Sequence, residues 1–187
     1  MRTFIALNLP ARERQRIHRG VRALREGDVP VRWVEVENLH VTLKFLGEIR
    51  PERIAELEAV VERVASATAP FTLVLEGFGA FPTLRRPRVI WMGARATPEL
   101  RCLKQDLEWA LADCGFEAET RAFHPHLTLG RADAGDRAGA FRHLEERVAE
   151  LDLTCRVAVH TVDLMRSHLS REGARYSLVS AVRLGGG

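Results

Sequence analysis

The 187 residues are 46% hydrophobic and 28% charged, ordinary for a globular chain with the material for a core. No apolar run nears the roughly 20 residues that cross a bilayer, and residues 1–7 are too short an apolar stretch, with no cleavage site, for a signal peptide. A cytoplasmic protein without membrane association is therefore expected. The formal charge is only +3, and nearly all the positive charge is arginine, which pairs bidentately with phosphate and stacks on bases. That suits an anionic or nucleic-acid ligand, although an arginine-rich surface is usually just a solvated face. Cys102, Cys114 and Cys155 are odd in number and lack C-x-x-C spacing, so they read as small core or half-buried residues rather than a disulfide framework or zinc knuckle.

In chain order, residues 3–9 are extended and lead through Pro10 into a helix with apolar Ile17, Val21 and Leu24. Residues 39–46 are again extended. Pro51 opens a helix whose Ile54, Leu57, Val60, Val61 and Val64 recur at spacings of three and four. Residues 71–75 form a strand that runs into a turn-rich stretch at 77–87. Then the order begins again. Residues 88–93 are an apolar strand, and Thr97-Pro98-Glu99 starts a helix with an N-cap followed by proline. Leu100, Leu103, Leu107 and Leu111 supply its apolar face. Residues 123–129 are extended, 136–150 helical through Phe141, Leu144 and Val148, and 153–165 strand-like. Residues 163–167 and 176–184 predict a final hairpin around Ser170-Arg171-Glu172-Gly173.

A shift of about 86 residues lays the first half of this pattern on the second. The expected fold is α+β, a single bilobal domain over 1–187 with repeat halves of roughly 1–86 and 87–187. Two mostly antiparallel sheets backed by helices would flank a central cleft.

The repeat carries chemistry. His40-Val41-Thr42-Leu43 and His126-Leu127-Thr128-Leu129 stand at equivalent places. One His-x-Thr means little, but two in register with an independent repeat are specific. In a strand, residues i and i+2 share a face, so each motif shows an imidazole and a hydroxyl on one side. Val41, Leu43, Leu127 and Leu129 anchor the other side. Opening a cyclic phosphodiester needs a base to activate water and an acid to protonate the departing ribose oxygen, and histidine does either near neutral pH. Two facing histidines allow in-line attack and departure, while the threonine hydroxyls hold the non-bridging oxygens.

The stretches Phe4-Ile5-Ala6-Leu7, residues 38–47, Phe78-Gly79-Ala80-Phe81-Pro82, residues 125–131 and Ser167-His168-Leu169 with Gly173 and Tyr176 resemble the 2H phosphoesterase superfamily. Within it they are similar to the RNA 2′,3′-cyclic phosphodiesterases, also called 2′-5′ RNA ligases. The resemblance covers essentially the whole chain. It implies the bilobal 2H fold, hydrolysis of RNA 2′,3′-cyclic phosphate ends to 2′-phosphates, and a reverse 2′-5′ ligase activity. By position it further implies His40 as proton donor and His126 as proton acceptor. No metal, no cofactor, a monomer, and RNA such as tRNA fragments as partner are also expected. The bare motifs do not order the two histidine roles.

Each residue also has a plainer reading. The histidines would otherwise be core imidazoles satisfied by backbone carbonyls, and the threonines ordinary strand formers. A two-histidine zinc site lacks a third ligand at supporting spacing, His124 and Glu48 being the nearest donors. Alternation puts Lys44 on the His40 and Thr42 face, to meet the RNA backbone, and Phe45 in the core. Arg131 is expected at phosphate or in a surface ion pair, His124 at the rim, and Tyr176 on a base or over the sheet. Arg85, Arg86 and Arg88 form a basic turn that is either solvated or tracks phosphates. Rival functions are a phosphodiesterase for a small substrate, such as a cyclic nucleotide or ADP-ribose 1″,2″-cyclic phosphate, and a non-catalytic RNA-binding module.

Overall fold

The structure is a computed structural model that describes residues 1–26, 29–133, 139–170 and 173–185. Strand β1 (Arg2–Asn8) is apolar through Phe4, Ile5, Ala6 and Leu7, all buried, as befits a strand covered on both faces. Pro10 pre-sets the start of α1 (Ala11–Gly20), and a short α2 (Arg22–Arg25) follows. Then come β2 (Val31–Trp33), β3 (His40–Glu48) and α3 (Ile54–Ser66), whose Leu57, Val60, Val61 and Val64 are buried as their spacing predicts. Next are β4 (Phe71–Thr83), β5 (Arg86–Ala94) and α4 (Pro98–Ala112). Thr97 caps α4 by accepting the Leu100 N–H, and Leu100, Leu103, Leu107 and Leu111 face the core. The chain finishes with β6 (His126–Ala132), α5 (Leu144–Ala149), β7 (Cys155–Val159), β8 (Thr161–Ser170) and β9 (Gly173–Arg183).

Among the described residues the nine strands make one antiparallel sheet in the order β7-β4-β5-β6-β3-β1-β8-β9, with β2 added beside β6. Its two halves meet at one residue pair, Val41 of β3 opposite Leu127 of β6. They are related by pseudo-symmetry: Leu7 faces Val41 and Ala6 faces Thr42 in one, while Met92 faces Leu127 and Trp91 faces Thr128 in the other. The strands are also exchanged. Early β4 lies beside β5 and β7, and late β8 lies beside β1 with β9 beyond it. Helix-facing Ile5, Leu7, Val41, Leu43, Ile90, Met92, Leu127 and Leu129 belong to the main core, and a smaller cluster of Phe4, Ala6, Met165 and Tyr176 covers the opposite face.

Three elements differ from the sequence expectation. The stretch at 77–87 is mostly strand, because its small residues serve close approach rather than a turn. A bulge before Phe78, with Gly77 at φ 71°, resets the register, and a Cβ on Gly79 would stand 2.5 Å from the Trp91 ring. Residues 153–165 split into β7 and β8 at His160, where the chain leaves one half-sheet for the other. Of the helix expected at 136–150, only Leu144–Ala149 is α-helical and 139–143 are turns; residues 134–138 lie outside the described residues. The terminal hairpin forms between β8 and β9, with Arg171 and Glu172 of its turn outside the described residues. Cys155 is buried, Cys114 half-buried and Cys102 exposed, all as free thiols.

Candidate active site

His40 and Thr42 project from β3, and His126 and Thr128 from β6, on the face opposite the buried Val41, Leu43, Leu127 and Leu129. All four are half-buried. The two strands are neighbours, so both motifs open onto one cleft.

Each imidazole is held in the same way. His40 Nδ1–H donates to the Asn38 carbonyl at 2.7 Å, and His126 Nδ1–H donates to the His124 carbonyl at 2.7 Å. A carbonyl only accepts, so Nδ1 carries the hydrogen and Nε2 is left as the proton-exchanging atom of both rings. His40 Nε2 lies 3.1 Å from Thr42 Oγ1, which donates to the neutral ring and accepts from the charged one. His40 is held below the usual histidine range chiefly by burial. The Asn38 hydrogen bond partly offsets this, and the positive charges of Arg131 and His126 add to it.

Aromatic rings wall both histidines. His40 meets Tyr176 edge-on at 5.0 Å and Phe4 at 5.0 Å; His126 meets Phe81 edge-on at 5.1 Å and lies 6.4 Å from Trp91. Tyr176 thus reaches the site from β9, opposite Ser167 of β8. Phe81 and Trp91 are far from the motifs in sequence, and only the pairing of β4, β5 and β6 brings them in. Phe81 stands in a stretch that carries the family likeness, whereas nothing in the sequence singled out Trp91.

A bulge decides the next shell. Ile5 pairs with Lys44 and Ala6 with Thr42, so Leu43 has no opposite; Ile90 pairs with Gly130 and Trp91 with Thr128, so Leu129 has none. One extra residue reverses the alternation beyond it. Arg131 consequently returns to the His126 and Thr128 face, exposed, where no carboxylate among the described residues pairs with it. The expectation for Lys44 and Phe45 must be corrected by the same geometry. Lys44 is 7% exposed on the helix side, bonded to Glu108 and to the Glu117 carbonyl, and does not reach the cleft. Phe45 turns out to the motif face, 71% exposed, with its ring 6.0 Å from that of Phe4.

His124 is exposed and contributes its carbonyl. Arg85 sits on the turn between β4 and β5, paired with Glu145 of α5, and Arg86 and Arg88 beside it are exposed. Among the described residues, no three His, Cys, Asp or Glu side chains are grouped to hold a metal ion, and no helix is long and apolar enough to cross a membrane.

An RNA 2′,3′-cyclic phosphodiesterase of Aeropyrum pernix is 36% identical over 157 residues, 83% of this chain and 87% of that protein. One of Methanothermobacter thermautotrophicus is 31% identical over 184 residues, 98% of this chain and 99% of that protein. Among solved structures, TT0787 of Thermus thermophilus superposes with a TM-score of 0.82 at 28% identity, covering 100% of this chain and 99% of that one. LigT of E. coli, solved with 3′-AMP, superposes at 0.76 and 32% identity, covering 98% and 97%. The paired-motif fold is that of the LigT-like 2H phosphoesterases. With residues 11–171 also matching the family's pattern, the chain belongs to the 2′-5′ RNA ligase superfamily.

Proposed function

We propose that this protein hydrolyses RNA 2′,3′-cyclic phosphate ends to 2′-phosphates by acid–base catalysis between His40 and His126, without a metal. The observation that carries the reading is the matched pair of imidazoles, each tied at Nδ1 to a backbone carbonyl, which leaves Nε2 as the proton-exchanging atom. In the step, His126 Nε2 takes a proton from water as the water oxygen bonds to phosphorus. The bond from phosphorus to O3′ breaks, and His40 Nε2–H protonates O3′. A 2′-phosphate and a free 3′-hydroxyl result. Thr42, Thr128 and Arg131 hold the non-bridging oxygens, where negative charge gathers. Phe45 offers an exposed face on which the terminal base stacks. The order of acid and base rests on family likeness, since both imidazoles are held alike. With a 5′-hydroxyl of a second strand in place of water, the same displacement forms the bond from phosphorus to O5′ as that to O3′ breaks, leaving a 2′-5′ phosphodiester and a free 3′-hydroxyl, the ligase reaction. We take the enzyme to work as a cytoplasmic monomer on RNA, tRNA fragments included.

The test is to incubate the EDTA-treated protein with adenosine 2′,3′-cyclic phosphate and with a cyclic-ended oligonucleotide, following products by phosphorus NMR. Undiminished turnover to a 2′-phosphate is expected. Activity restored only by zinc or manganese would overturn the metal-free reading, and a 3′-phosphate product the assignment of the leaving oxygen.

A further inference from the structure

Strand β2 contributes a residue that the catalytic motifs do not account for. It pairs antiparallel with the far end of β6, Trp33 opposite Gly130, Arg32 opposite Arg131 and Val31 opposite Ala132. Directly opposed residues point to the same face of a sheet. Trp33 and Val31 face the core side, where a Cβ on Gly130 would stand 2.8 Å and 2.5 Å from their side chains. Arg32 therefore shares the cleft face with Arg131, His126 and Thr128. Two like charges in directly opposed positions destabilise a strand pair, and Arg32 has only a loose partner, Asp133 at 3.8 Å with both side chains mostly exposed. An ion pair of that kind is worth little. An anion bound between the two guanidinium groups removes the repulsion.

Resting on the proposed reaction, we infer that Arg32 forms a second phosphate subsite, which binds the phosphodiester on the 5′ side of the terminal nucleotide. A cyclic phosphate closes the 3′ end of an RNA, so every other phosphate of the strand lies on the 5′ side of the reacting nucleoside. Arg131 stands two strand steps from Thr128 once the bulged Leu129 is discounted, roughly 7 Å along β6. Arg32 stands about 5 Å to its side on β2. The first arginine reaches the reacting phosphate and the second the next one out. Asp133 is the group that the incoming phosphate displaces. Arg32 thereby separates RNA ends from mononucleotides, which have no second phosphate to offer.

Two substrates that differ by one nucleotide test this: adenosine 2′,3′-cyclic phosphate and the dinucleotide ApA ending in the same cyclic phosphate. For the parent protein kcat/KM should favour the dinucleotide. In Arg32→Gln the ratio of the two kcat/KM values should fall about tenfold, the size of one charged phosphate contact. The log–log salt slope for binding a cyclic-ended oligonucleotide should flatten by about 0.7, one phosphate contact on a single strand. Asp133→Asn should move the ratio the other way. A ratio unchanged in Arg32→Gln, or an equal loss on both substrates, would overturn the subsite. Failure of the parent protein to open either substrate would sink the reaction itself and the subsite with it.

Discussion

Lys44 on β3 and Glu108 on α4 form an ion pair at 2.5 Å, shielded from water. Lys104, one turn away on the same helix, reaches the other carboxylate oxygen. These are the only two lysines in the chain, and both end on one carboxylate. Glu108 also accepts the Glu119 N–H, and Lys44 donates to the Glu117 carbonyl, so the cluster ties the first motif's strand to the segment that leads into the second motif. Burial alone would push the Glu108 carboxyl up, but its hydrogen bonds from Lys104, Lys44 and the Glu119 amide outweigh that and hold it below the ordinary carboxylate range.

Glu108→Ala should accordingly lose about 3–5 kcal/mol in denaturant unfolding, because it strands two buried ammonium groups. Lys44→Met should cost less, since Glu108 keeps Lys104. The sign of the pH effect follows from the lowered carboxyl. Stability from Glu108 is complete above its unfolded value of 4.5 and drains away as pH falls through the lower folded value. Glu108→Gln should flatten the acid limb of stability against pH. An alanine variant that unfolds within 1 kcal/mol of the parent would show the cluster to be dispensable, as the marginal stability of proteins makes such a loss easy to measure.

For the reaction, kcat/KM should be bell-shaped in pH, with macroscopic values shared by the pair. Because burial holds His40 below the ordinary histidine value, the limb that His40 governs should lie below 6.5. Arg131→Gln removes a positive charge that helps hold it there, so the limb should move to higher pH as turnover falls. Either His→Ala should cost on the order of 10²–10⁴-fold, and the double variant less than the product of the singles. Thr42→Ala and Thr128→Ala should each cost on the order of 10²-fold or less. A folded His126→Ala protein with near-normal turnover removes the mechanism.

Phe45→Ala should raise KM about 5- to 150-fold, in line with about 1–3 kcal/mol for one stacked base. The unfolding midpoint should hardly move, because the ring is exposed. A stability loss with unchanged KM would return Phe45 to a packing role.

Gly79→Ala places a methyl 2.5 Å from the Trp91 ring, which must shift. Trp91 lies beside His126, so tryptophan fluorescence should change and kcat should fall more than KM rises. Unaltered fluorescence would mean that β4, not the indole, gives way.

The apolar spacing of α3 and α4, the cap at Thr97 and the two His-x-Thr motifs were legible because each is a local pattern. Alternation also assigned the faces of His40, Thr42, His126 and Thr128 correctly. It failed two residues later, at Lys44 and Phe45, because the extra residue at Leu43 is visible only against the partner strand β1. Likewise Gly77 and Gly79 look like turn formers, and only the bulge at Gly77 and the packing of Gly79 on Trp91 show that they serve a strand. Arg32 carried no signal, since a single arginine on a three-residue strand is silent until its register with Arg131 is known.

The exchange of strands sets the order in which the protein can mature. Made from its N-terminus, the half-sheet carrying His126 has β4, β5, β6 and β7 in hand by Val159. The half carrying His40 must wait, because Arg2 of β1 pairs with Ser167 of β8 and β8 in turn needs β9. The earliest strand is thus among the last to gain both neighbours, across a contact of very high sequence separation, which is slow to close. Until Gly173–Arg183 has left the ribosome, β1 presents an open apolar edge of the kind that chaperones bind and that aggregates.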